Sequence, residues 1–235
     1  MSHSPTAAQR SPWAEFQRGV LRERALVALF DAGHPPGFAR WVMRWYAFVV
    51  FVSYAVAILL ARGADRTAEI QSVVHAALVA LSWVVGALAA LAAARALSRP
   101  PSPSSDALGT LALARGYSAR SLLRARTLSV ALRVARLVGL PGVLLVGLGL
   151  ARGAAPIWAL AVAPAVIVYA SVLGLALALL ALFSAQLSPS RPRAMLACLV
   201  LAPLLLAQAF PGFPSPVGGL SWLLAQLLNP GVALT

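Results

Sequence analysis

The sequence PIWALAVAPAVIVYASVLGLALALLALF, Pro156–Phe183, contains no charged residue. Its 28 residues lie within an uncharged run of 38, Gly153–Ser190. A helix needs about 20 apolar residues to cross the hydrocarbon core of a bilayer. This stretch is therefore predicted to be a transmembrane helix, which Pro164 would kink. Within it, Gly174 and Ala178 are spaced to let another helix approach closely.

The rest of the chain has the same apolar character. Of its 235 residues, 60% are hydrophobic and 11% are charged, whereas about a quarter of the residues in a soluble domain are charged. So few charges could not solvate a globular surface, and the apolar residues come in blocks of 17 to 28 residues. The composition excludes secreted, fibrous and disordered classes and predicts an all-α, polytopic helical membrane protein.

Four further apolar blocks are predicted to cross the membrane, at about Trp45–Ala61, Ser72–Ala94, Val134–Leu150 and Ala194–Phe210. The C-terminal segment 217–235 either forms a sixth span or contributes a short helix, Ser221–Leu228, that lies in the interface. We therefore expect five to six transmembrane helices within a transmembrane domain of residues 45–235.

All 19 basic residues are arginines, and their distribution predicts the orientation. Residues 1–44, 95–136 and 184–193 would share one side and carry 16 arginines, against three on the other side. The positive-inside rule then places the N-terminus in the cytoplasm. Arg133 and Arg136 are expected at an interface, because an arginine at the bilayer centre costs roughly 2.5–3.5 kcal/mol. Since the arginines lie between apolar blocks, we read them as a topology signal and expect no nucleic-acid partner.

The N-terminal segment, residues 1–44, is predicted to be cytoplasmic and to contain an interfacial amphipathic helix. Ser11–Pro12 supplies an N-cap followed by proline at the first helical position, and Gly33 would end the helix. Its apolar residues recur at helical spacing: Trp13, Phe16, Val20, Val27 and Phe30. Such a helix lies along the inner membrane surface, either as an orientation anchor or as a contact for a partner.

The loop after the second span, residues 95–133, is predicted to form a compact bent element. Ser105 or Asp106 can cap a short helix, which Gly116 would end. Ser118 can cap a second helix that continues directly into the third span. Two capped helices exceed what a simple connection between spans requires.

The sequence contains no motif for catalysis or for a bound metal. A phosphate-binding P-loop requires a lysine, and the chain has none. The predicted spans also lack Asp, Glu and Lys, on which ion-coupled carriers usually depend; we expect His75 to be packed or solvated. Three scattered histidines and Cys198 do not have metal-site spacing. We therefore predict that the chain is not an enzyme and holds no cofactor or metal.

The most specific stretches of the loop are LGTL, residues 108–111, and SARSLLRAR, residues 118–126. Together with the predicted topology, they resemble the membrane permease subunit of type-two ATP-binding-cassette (ABC) exporters. In that family Gly-Thr-Leu-Glu and a Pro-Val-Ser-like turn precede a basic, leucine-rich coupling helix that docks on the ATPase. Here Ala112 replaces the glutamate, and GYS, residues 116–118, replaces the turn.

The resemblance implies a function and partners. The chain would be the permease subunit of an ATP-driven exporter of a hydrophobic or amphipathic substrate in the bacterial inner membrane. A separate cytoplasmic ABC ATPase subunit would bind ATP and Mg, and a second permease copy or paralogue would complete a dimer. The residues implied to dock on the ATPase are Asp106, Gly109, Thr110, Leu111, Arg115, Tyr117, Ser118, Arg120 and Arg124. The alternative is a non-transporting membrane anchor or scaffold subunit of a larger complex.

Overall fold

The computed structural model describes residues 37–61, 65–98, 114 and 116–199. All regular secondary structure in this part of the chain is helical. Its four long helices are α1 (Gly37–Leu60), α2 (Arg66–Ser98), α3 (Ala119–Ala151) and α4 (Pro156–Leu187). Residues 192–199 are also helical. All four long helices are long and apolar enough to cross a membrane. The all-α prediction is confirmed for these residues, and the four helices are those expected of a membrane protein.

The long helices fall on the first four predicted spans but extend beyond the apolar blocks. α1 begins eight residues before Trp45, inside the segment assigned to the N-terminal region, and α2 extends its block by six residues at the start and four at the end. α4 continues four residues past Phe183. Hydrophobicity marks the edge of the bilayer, whereas helical hydrogen bonding continues until a cap or a turn ends it. The polar ends of these helices therefore belong to the same rods as their apolar centres.

Two predicted helix starts are confirmed. α4 begins at Pro156, where the missing N–H of proline would have had no helical partner in any case. α3 begins after Ser118, whose side-chain oxygen accepts a hydrogen bond from the backbone N–H of Ser121 at 3.1 Å. Just before it, Gly116 has φ +82°, a left-handed conformation that glycine adopts without a steric penalty. The chain thus turns at Gly116 and enters α3.

Several predictions concern residues outside the described part of the chain. They are the interfacial helix before residue 37, most of the short loop helix, the end of the fifth span beyond residue 199, and the segment 217–235. Of the short loop helix, Ala114 is described and is helical. The five or six spans and the N-terminal helix therefore stay predictions, and four membrane-length helices are observed.

The helices form a bundle in which consecutive helices run antiparallel. At one end, the Arg152 guanidinium donates to the carbonyl of Leu59 at 2.8 Å, and the backbone N–H of Ala155 donates to the Thr67 hydroxyl at 3.3 Å. At the other end, a separate buried cluster joins the end of α2, the end of α4 and Leu196. We call the first the Arg152 end and the second, where α3 begins, the Arg120 end.

Close approach of α3 to its neighbours depends on glycine. A Cβ on Gly174 of α4 would collide with the backbone carbonyl oxygen of Ala131 in α3. A Cβ on Gly142 would lie 2.7 Å from Val166 in α4, and one on Gly149 would lie 2.6 Å from Ile70 in α2. Small residues let helix backbones pack closely within a bilayer. The prediction that Gly174 serves this purpose is confirmed.

One side-chain hydrogen bond links α2 to α4 within the apolar core. The Tyr169 side chain is 2% exposed, and its hydroxyl lies 2.9 Å from that of Ser82. The Ser82 hydroxyl also contacts the carbonyl of Leu78 at 2.6 Å. Because a carbonyl oxygen can only accept, Ser82 donates to Leu78, and its oxygen accepts from Tyr169.

Candidate functional site

The candidate docking site lies at the Arg120 end, where the loop after α2 meets α3. Five of its predicted residues lie outside the described residues: Asp106, Gly109, Thr110, Leu111 and Arg115. The other four lie together at the start of α3: Tyr117, Ser118, Arg120 and Arg124. The structure thus shows the second half of the predicted site.

Buried residues hold the start of α3 against the bundle and leave the arginine pair in solvent. Leu122 and Ala125 are 3% and 4% exposed, whereas Arg120 and Arg124 are exposed. Residues four apart lie on the same face of a helix. The two guanidinium groups therefore project from one side of α3 while its other side is anchored in the protein.

Local hydrogen bonds fix the first turn of α3. In addition to accepting from the Ser121 N–H, the Ser118 hydroxyl lies 2.9 Å from the Ser121 hydroxyl. The backbone carbonyl of Ser118 accepts from the N–H of Leu122 at 3.1 Å. The amino end of a helix carries a partial positive charge, which adds to the charges of Arg120 and Arg124. The site is therefore electropositive and suited to acidic groups of a partner.

The segment after α4 adds to the same end of the molecule. Arg193 donates through Nε to the carbonyl of Leu91 in α2 at 3.3 Å, and Leu196 is buried in the cluster there. Arg191 is exposed. The predicted loop 184–193 therefore packs against α2 near the Arg120 end through Arg193, and it leaves Arg191 on the surface.

The predicted separation of charge is also seen in the described helices. Arg66 and Arg152 lie at the Arg152 end, as do the described acids, Asp65 and Glu69. On the side of the Arg120 end lie Arg44, Arg120, Arg124, Arg126, Arg133, Arg191 and Arg193, and Arg136 lies midway along α3. The bundle therefore has one strongly basic end.

Exposure along α3 follows a regular line that the sequence did not reveal. Between residues 120 and 144, every fourth residue is exposed and those between are not: Arg120, Arg124, Leu128, Leu132, Arg136, Leu140 and Leu144. We call this line the α3 stripe. A step of four residues turns about 40° beyond one full turn, so the stripe winds around the helix. The α3 stripe marks the residues of α3 that the neighbouring helices leave uncovered. Because it contains both arginines and leucines, the spacing of apolar residues in the sequence does not predict it.

The described residues contain no cluster of three His, Cys, Asp or Glu side chains that could hold a metal ion. His75 is half-buried in α2, and Cys198 is exposed as a free thiol. The features that stand out are thus the arginine pair, its capped helix and the α3 stripe. Compared with known protein families, curated proteins and solved structures, the chain matches none of them.

Proposed function

We propose that the chain is the membrane permease subunit of an ATP-driven ABC exporter. The observation that carries the proposal is the continuity of α3, which runs for 33 residues from Ala119 to Ala151. Its first turns expose Arg120 and Arg124, and its residues 137–151 contain no charged side chain. A partner bound to the arginine pair would therefore act directly on a membrane-spanning helix.

The Arg120 end is proposed to face the cytoplasm of the bacterial inner membrane. The arginine distribution supports this orientation through the positive-inside rule. The start of α1 supports a membrane boundary near this end, because Trp41, Trp45 and Phe48 are exposed there. Their rings pack edge to face with centroids 5.8 Å apart, and tryptophans are enriched at membrane interfaces.

The proposed coupling uses the electropositive start of α3 as the contact for an acidic surface on the ATPase. Closure of an ATPase dimer, which binds ATP and Mg, would move α3. The glycine-dependent contact between Gly174 and Ala131 ties α4 to α3, so both helices would shift together. Two permease copies, identical or paralogous, would line a path for a hydrophobic or amphipathic substrate.

Charge reversal of the arginine pair tests this proposal. We expect Arg120→Glu with Arg124→Glu to reduce binding of the ATPase subunit at least about tenfold, because attraction to an acidic surface becomes repulsion. Membrane insertion should persist, since both residues are exposed. The matched control is Arg191→Glu, an exposed arginine at the same end on another segment, which should retain binding.

The measurement is co-purification in mild detergent followed by ATPase assays on the reconstituted complex. A nucleotide-binding subunit in stoichiometric amount, lost in the double variant and kept in the control, would support the proposal. Purification of a stable chain with a partner that binds no nucleotide would contradict it and favour the membrane anchor or scaffold instead.

A further inference from the structure

The turn between α3 and α4 is flanked by two helices that each contain a proline. Pro141 lies ten residues before the end of α3, and Pro164 lies eight residues after the start of α4. These separations correspond to about 15 Å and about 12 Å of helix. A Cβ on Gly142 would lie 2.7 Å from Val166, so the two prolines lie near the same level of the bundle. We call the part between them, residues 142–163, the turn hairpin.

A proline inside a helix is a point at which the helix can bend. Because proline donates no backbone hydrogen bond, the carbonyl four residues earlier loses its helical partner. In α3 and α4 these carbonyls belong to Leu137 and Leu160. Sharp bends in helices occur mostly at such positions. A pair of them at one level would let the turn hairpin move as a unit while the rest of the bundle stays in place.

Two polar contacts hold the turn hairpin against the other helices. The Arg152 guanidinium donates to the carbonyl of Leu59 in α1 at 2.8 Å. The backbone N–H of Ala155 donates to the Thr67 hydroxyl in α2 at 3.3 Å. Arg152 is exposed and Thr67 is half-buried, so water can replace either bond when the partners separate. The contacts therefore fasten the turn hairpin without making its release prohibitive.

A buried tryptophan makes the fastened position costly. The Trp158 side chain is 5% exposed, and its Nε1–H has no acceptor among the described residues. A buried donor without an acceptor has given up its bond to water and gained none in the protein. Trp158 lies two residues after the start of α4, close to the end of the bundle. Outward movement of the turn hairpin would bring this N–H to the interface, where tryptophan is enriched.

We propose that the turn hairpin is a gate at the Arg152 end of the bundle. It opens when α3 bends at Pro141 and α4 bends at Pro164, and the bond from Arg152 to Leu59 holds it closed. The proposal requires that the chain spans a bilayer. It goes beyond the proposed function, because the bending points and the fastening contacts belong to this chain whether or not an ATPase binds.

The surface that the gate uncovers is apolar. A Cβ on Gly149 would lie 2.6 Å from Ile70 of α2, so movement of the turn hairpin separates these two helices there. Ile70, Val74 and Val162 are buried in the same hydrophobic cluster. An ion that entered such a gap would lose its hydration without a polar replacement. The gate therefore suits an apolar or amphipathic molecule, such as one that carries an acyl chain.

Thiol reactivity of the full-length protein in lipid vesicles tests the fastening contact. In a Cys198→Ala background, Ala159→Cys places a thiol at a buried site of the turn hairpin. We expect Arg152→Ala to raise its rate of reaction with a small water-soluble maleimide about fivefold, because the closed position loses a charge-assisted hydrogen bond. Pro164→Ala should lower the rate, since alanine restores the missing N–H. The matched control is Ala181→Cys, buried in α4 beyond Pro164, whose rate Arg152→Ala should leave unchanged.

Distances between spin labels locate the bend in the same background. Three pairs of exposed positions are labelled, two that span a proline and one that does not: Leu132→Cys with Leu150→Cys, Ile157→Cys with Leu175→Cys, and Ser171→Cys with Leu187→Cys. The two spanning pairs are each 18 residues apart, about 27 Å along a straight helix. We expect Arg152→Ala to shorten or broaden both spanning distances and to leave the third distance unchanged.

These two measurements decide the proposal together. Spanning distances and a thiol rate at residue 159 that do not respond to Arg152→Ala would overturn it. So would an equal response at Ala181→Cys or in the third pair of labels, because the whole bundle would then have loosened and no gate would be distinguished from it.

Discussion

Gly174 shows how a single missing side chain sets the distance between two helices. Its Cα hydrogen occupies space that a methyl group would need, and the obstacle is the backbone of Ala131. A backbone cannot rotate away as the end of a flexible side chain can. The spacing of α3 and α4 is therefore fixed at this point by residue size.

We expect Gly174→Ala to destabilise the protein by roughly 1–3 kcal/mol, the usual cost of overpacking a core. Gly147→Ala is the matched control, because it adds the same methyl group to α3 where no atom lies within 4 Å. The control should be neutral or slightly stabilising, since alanine favours a helix over glycine. Thermal unfolding in detergent, followed by circular dichroism, measures both, and equal melting temperatures would contradict the packing described.

The contribution of the hydrogen bond between Ser82 and Tyr169 to the free energy of unfolding can be measured by substituting each residue. Ser82→Ala leaves the buried tyrosine hydroxyl without this partner and should cost about 1 kcal/mol. Tyr169→Phe removes the other hydroxyl of the pair. If the hydrogen bond is the interaction that matters, the double variant will be less destabilised than the sum of the two single variants. Simple additivity in the unfolding free energies would show that the pair is not coupled.

Helix α3 combines a capped start, an exposed arginine pair and the α3 stripe, and the sequence predicts only some of these features. The cap at Ser118 and the turn at Gly116 could be predicted because each depends on local chemistry within a few residues. Arg120 and Arg124 were expected to contact a partner, and both are exposed. The α3 stripe could not be predicted, since exposure at Leu128 or Leu140 depends on where neighbouring helices pack.

The cap of α3 predicts a local effect on the docking site. Ser118→Ala should cost about 1 kcal/mol and fray the first turn, because the N–H of Ser121 loses its acceptor. Amide hydrogen exchange should accelerate at residues 119–122 and stay unchanged in the second half of α3. Ser171→Ala is the control, since that hydroxyl bonds within its own helix, to the carbonyl of Ile167. Uniform protection across the first turn would show that the cap is dispensable.

The arginines at the two ends of the bundle lie in different surroundings. At the basic end, exposed guanidinium groups accumulate. At the other end, Arg152 donates to Leu59 in the last turn of α1, where a cation also meets the partial negative charge of a helix terminus. Counting charges in the sequence predicted the asymmetry but not this contact, because pairing of α1 with the α3–α4 turn is a property of the assembled bundle.

The unbroken length of α3 has a mechanical consequence. Its tightest contact, at Ala131, divides the rod unequally: eleven residues lead back to Arg120 and twenty lead forward to Ala151. A helix turning about that contact is a lever whose far arm is nearly twice as long as its near arm. Pro141 lies in the far arm and donates no backbone hydrogen bond there. A push at the arginine pair would therefore bend α3 near Pro141 as well as move the tip that joins the turn to α4.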